Sequence, residues 1–174
     1  MNGKRARTTS QSGVTILETL IASVVLLVGI LGVMSLFTVA VVQSKSQGDV
    51  FTRTTEYAQD KIDQLMALPF ADNATDTTVY PAQAVGGTGL GGVMAGSASV
   101  GSANPAAPAA GYVDYLDANG NLLAGAGNSF YTRVWSISTN AGGTLKVITV
   151  VAVAQKTGGV GLTPSSTLVC FKAQ

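Results

Sequence analysis

Histidine is missing from this chain altogether, and cysteine occurs once, as Cys170. Without histidine, the usual base of a nucleophilic triad and the commonest zinc ligand are both gone. One cysteine cannot close an intrachain disulfide. In the alternating run Leu168-Val169-Cys170-Phe171 it reads as a small buried apolar residue rather than a reactive or intermolecular thiol. Charged residues make up only 11% of the chain, and its acids are not grouped as a general acid–base pair or a metal site requires. The expectation is therefore a protein that is not an enzyme, with no catalytic residues, no metal ligands and no cofactor. Nor is there a basic face: once Lys4, Arg5 and Arg7 are set aside, seven basic residues stand against nine acidic ones, so no nucleic acid is directly indicated. Proline is absent until Pro69, so nothing in the first 68 residues breaks a helix.

What is there, in quantity, is apolar sequence. After Gly13 and the opening Val14-Thr15-Ile16-Leu17 comes one acid, Glu18, and residues 19–42 then carry no charge. As a helix rising about 1.5 Å per residue these twenty-four would extend about 36 Å, enough to cross a hydrocarbon core about 30 Å thick with some tilt. The basic cluster ahead of the run places the N-terminus in the cytoplasm by the positive-inside bias. Residues 1–13 are short, basic and polar, with no apolar periodicity, and read as a leader. An ordinary secretory signal is a rival, with Thr38-Val39-Ala40 as its cleavage site. The run is too long for that reading, and Glu18 has no use in it.

The helical period outlasts the apolar composition. Residues 14–42 form the transmembrane half of a helix and residues 43–69 an amphipathic half. Its stripe is Val50/Phe51, Thr54, Tyr57/Ala58, Ile62 and Leu65/Met66, while Asp49, Arg53, Glu56, Asp60, Lys61 and Asp63 mostly take the outer surface. Pro69 should close it near Leu68. Gly29, Gly32 and Gly48 are its weak points, and Gly29 with Gly32 offers a small-residue face to a neighbouring helix.

Residues 70–174 read as a β-rich head. Its least structured part is the uncharged Gly/Ala-rich stretch 82–111, expected to be a flexible surface loop, with packing of Leu90, Val93, Met94 and Val100 on the sheet as the alternative. Asp117-Ala118-Asn119-Gly120 should turn a hairpin between 112–116 and 121–124. Asp117, Asn119 and Asn121 imitate the start of a calcium loop, but its sixth-position glycine is Leu122 here and no closing glutamate follows. Strands are expected at 130–138, 145–155 and 166–172, joined by a turn at 140–143 and a Gly-rich loop at 156–164, as an antiparallel meander. The fold class is α+β: a long N-terminal helix whose amphipathic half packs on a small antiparallel sheet.

The basic leader, Ser12-Gly13 and then Val14-Thr15-Ile16-Leu17-Glu18-Thr19-Leu20-Ile21-Ala22 resemble the cleavage and methylation signature of type IV pilins and type II secretion pseudopilins. The resemblance implies a pilin-like fold, cutting after Gly13 by an inner-membrane prepilin peptidase, and N-methylation at Val14. It also makes Glu18 the acid that pairs with a neighbouring subunit's amino terminus during assembly. The family's phenylalanine at the first mature position is Val14 here. Its proline inside the apolar run is missing, so a locally melted helix does not carry over. Residues 57–65 with Leu68-Pro69-Phe70, and Phe130-Tyr131-Thr132-Arg133-Val134-Trp135 with Lys146-Val147-Ile148-Thr149-Val150, are similar to minor pilins of the pilus-modification kind.

The expected function is structural: a minor pilin held in the bacterial inner membrane, head in the periplasm, until it joins a pilus at the cell surface. Its partners would be prepilin peptidase, the assembly platform, and other pilins through the N-terminal helix. A minor pseudopilin of type II secretion is the alternative within this class. A signal-anchored periplasmic binding module that never polymerises is the alternative outside it.

Overall fold

The computed structural model describes residues 15–91, 99–155 and 163–174. The leader, Gly13 and Val14, together with Val93, Met94 and most of the Gly-rich stretch at 156–164, lie outside the described residues. The chain divides into two compact units, Met1–Ser44 and Lys45–Gln174.

One helix, α1 (Ile16–Ala67), runs through both units. It stops where the proline demands: Leu68 precedes Pro69 and is pushed out of the helical region, and its N–H reaches Leu65 O at 3.3 Å. In the first unit α1 buries nothing. In the second it buries Thr54, Ala58, Lys61, Ile62 and Leu65, a stripe recurring every three to four residues. Two expectations fail on this face. Phe51 and Met66 sit outside the buried stripe, at 45% and 36% exposure, while Lys61, placed on the surface by its charge, is completely buried.

The head is a six-stranded antiparallel sheet with α1 residues in its core, so the fold is α+β. The strands are β1 (Ser99–Gly101), β2 (Val113–Leu116), β3 (Leu122–Leu123), β4 (Tyr131–Thr139), β5 (Leu145–Ala154) and β6 (Ser165–Ala173). Their order is β3-β2-β4-β5-β6, with β1 also on β4. Strands β4, β5 and β6 pair in sequence order as the antiparallel meander expected, and the departure lies ahead of them, where β4 passes over β3. A two-residue β3 gives β4 little to pair with. A short 3-10 turn at Ala126–Asn128 brings the chain back, and β4 joins β2 through Leu116 opposite Tyr131. Trp135, Ile137, Ile148, Val150 and Ala152 face Ala58, Ile62 and Leu65 in the main core.

The stretch 82–111 is not simply a surface loop. Val100 pairs with Ile137 through β1, and Leu90 is fully buried in the main core. Gly101 permits this at φ +76°, because a Cβ there would lie 2.4 Å from Trp135 O. Cys170 is half-buried against the core rather than enclosed by it, and burial raises its thiol pKa. The reason is its place on β6, the strand at the end of the sheet.

Candidate functional site: the apolar helix and a buried ion cluster

Of the positions singled out by sequence, Gly13, Val14 and Glu18, only Glu18 is among the described residues. It lies in the first turn of α1, where its N–H donates to Thr15 Oγ1 at 3.3 Å. Thr15-Ile16-Leu17-Glu18 has the spacing of a capping box, so Thr15 starts the helix and the acid three residues on suits its positive end. That signal is readable in the sequence and adds a local role for Glu18. Its carboxylate is exposed and has no partner among the described residues.

Beyond Glu18 the surface is apolar on every side. No large apolar residue from Ile16 to Val42 is less than 48% exposed. The hydroxyls in this segment are satisfied internally: Thr19 donates to Ile16 O, Ser23 to Thr19 O, Ser35 to Gly32 O and Thr38 to Met34 O. A helix in lipid must meet this condition, since hydrocarbon offers no partners. The helix is long and apolar enough to cross a membrane. Exposed apolar surface of this extent needs lipid or other helices to cover it.

The head holds a second constellation. Lys61 Nζ and Arg133 Nη2 each lie 2.8 Å from Asp114 Oδ2, with Lys61 and Asp114 wholly buried and Arg133 nearly so. Lys61 Nζ also donates to Thr77 O at 2.6 Å and stands 4.0 Å from the centre of the Trp135 ring. Arg133 Nη1 donates to Asp60 Oδ2 at 2.7 Å and to Tyr57 O at 3.1 Å. One carboxylate thus holds two cations: Lys61 ties the helix to β2 and to the loop at Thr77, and Arg133 ties β4 to β2 and to the helix. Nearby, Lys146 Nζ donates to Leu90 O and Gly91 O, fixing the buried part of the Gly/Ala stretch.

The cluster follows from periodicity. Arg133 alternates with Tyr131 and Trp135 on the inward side of β4, and Asp114 with Leu116 on β2. Lys61 follows Ala58 by three positions on α1. Each charge occupies a core position by its spacing, a signal that the charged residue types masked. Asp114 and Asp60 match the charges of Lys61 and Arg133, while Asp114 Oδ1 has no hydrogen-bond partner among the described residues. These contacts join α1 to β2 and β4.

Burial, the largest influence on Lys61, lowers its pKa to about 8 from 10.5, with Asp114 pulling it back upward. A lysine that releases its proton more readily folded than unfolded adds stability as pH climbs from about 8 towards 10.5. Denaturant midpoints of the parent and of Lys61→Met should therefore diverge in the parent's favour across that window. A constant difference would contradict the account.

The hairpin turn is closed by its own acid. Asp117 accepts hydrogen bonds from the N–H groups of Asn119 and Asn121 and from the Asn121 side chain, at 2.7 to 2.9 Å. These bonds, led by that from the Asn121 side chain, hold its carboxyl below the usual range. Among the described residues no group of three or more acids or cysteines is placed to hold a metal ion.

No protein-family model matches the chain, and neither a curated protein nor a solved structure matches it.

Proposed function

We propose that this chain is a minor pilin or pilin-like subunit, inserted in the inner membrane with its head in the periplasm and then drawn into a filament whose core is a bundle of such helices. One observation carries the reading: a helix apolar on all its faces, with one acid in its first turn, continues without a break into the helix that builds the head's core. Supporting it are the leader signature at Gly13 and Val14, the basic cluster ahead of it, and the absence of any partner for Glu18 among the described residues. Prepilin peptidase would cut after Gly13, and the assembly platform would receive the mature chain. An acid in lipid costs a few kcal/mol, about 2.5–3.5 at a helix centre, unless it is paired. A neighbouring subunit's free amino terminus supplies the pair, and head-to-tail contacts grow into an open helical filament where their rotation does not close a ring.

Glu18→Gln keeps the shape and removes the charge. Insertion should be unchanged or slightly improved, because an uncharged span is cheaper to place in lipid. The fraction of subunit recovered in sheared filaments should fall several-fold relative to the fraction left in the membrane, with cleavage checked separately, since a charge-assisted contact is lost. Equal incorporation of mutant and parent would remove the charge pair and leave assembly to lateral helix packing.

A further inference from the structure

The geometry points to a binding site for a neutral saccharide in an open, polar pocket of the head, lined by Asp60, Gln64, Tyr80, Gly120, Asn121, Leu122 and Arg133. Its volume, about 490 Å³, is in the range of small-ligand pockets. The inference concerns the head alone and stands whether or not the chain enters a filament.

The pocket is built on fixed parts. Arg133 is held by Asp114, Asp60 and Tyr57 O. The turn carrying Gly120 and Asn121 is closed by Asp117, and Gly120, at φ +86°, lies so close to the Tyr57 ring that a Cβ would stand 2.8 Å from it. Such a site needs little ordering when a ligand arrives.

Its chemistry selects the ligand class. Asp60 uses Oδ2 for both Arg133 and Gln64, which leaves Oδ1 as an acceptor. Gln64 and Asn121 each spend one amide N–H, on Asp60 and Asp117, leaving a carbonyl oxygen and a second N–H apiece. Three acceptors and two amide donors thus line one pocket with Tyr80, an aromatic residue 81% exposed. The charges cancel, because Asp60 and Asp114 balance Arg133 and Lys61. An anion finds no unspent cation here, and a cation finds a carboxylate already neutralised by the guanidinium 2.7 Å away. A ligand with several hydroxyl donors and an apolar C–H face satisfies the acceptors and covers the ring together.

The test uses the full chain in a polyoxyethylene detergent, which carries no sugar, with maltose, lactose and chitobiose as probes and choline as the cationic control. Saturation transfer from protein to at least one disaccharide is expected. Tyr80→Ala should weaken binding about tenfold, the loss of one stacked ring, and Gln64→Ala severalfold. Both substitutions are outside the core and should leave the melting temperature unchanged. The proposal is overturned if no disaccharide receives saturation, if Tyr80→Ala binds as the parent does, or if choline binds and the sugars do not.

Discussion

Asp114→Ala should unfold the head at temperatures where the parent is fully folded. Asp114 is the shared partner of Lys61 and Arg133, and its removal leaves Lys61 in the core with no carboxylate within ion-pair distance. Breaking a buried pair from one side costs about 3–5 kcal/mol, against about 5–15 kcal/mol for a whole domain. The chain's one tryptophan is the reporter: Trp135 is fully buried and lies under the Lys61 ammonium, so its emission follows the core directly. Adding Lys61→Met to Asp114→Ala should recover part of the loss, because the stranded charge is then gone. A single mutant that melts like the parent would show that the cluster does not hold the head together.

Leu65→Asp is the second large effect. Leu65 has no exposed surface and sits in the main core with Ala58, Ile62, Trp135 and Ile148. An aspartate there buries a charge with no cation assigned to it and removes apolar contact at once. Loss of the folded Trp135 signal at room temperature is expected. Met66→Asp, one position on and partly exposed, should cost far less. Equal behaviour of the two would mean that α1 does not present the stripe described here.

The contrast between Leu65 and Met66 also shows how far sequence reached. The period of the amphipathic half was legible, and Pro69 fixed its end to within a residue. Strands β4, β5 and β6 lie within a residue of their expected limits, because β-branched and aromatic residues alternate there between clear turns. The hairpin at Asp117–Gly120 was legible from its turn chemistry, and the pairing of Tyr115 with Leu123 agrees. The Gly/Ala stretch was misread because its order comes from distant groups. Leu90 N–H donates to Asp72 O, Lys146 holds the Leu90 and Gly91 carbonyls, and Gly101 lies against Trp135 O. Nothing local in a glycine-rich sequence announces such partners. Lys61 was misplaced for a related reason: its spacing put it on the core side, while its partner Asp114 is 53 positions away and on another element.

The central claim, that this is a processed filament subunit, is tested most directly by the N-terminus of the chain found in sheared surface filaments. Mass spectrometry of that fraction should find this protein beginning at Val14, carrying one added methyl group, and Gly13→Leu should leave uncut precursor in the membrane. A chain beginning after Ala40, or one absent from filaments and confined to the membrane with its leader intact, would contradict the account.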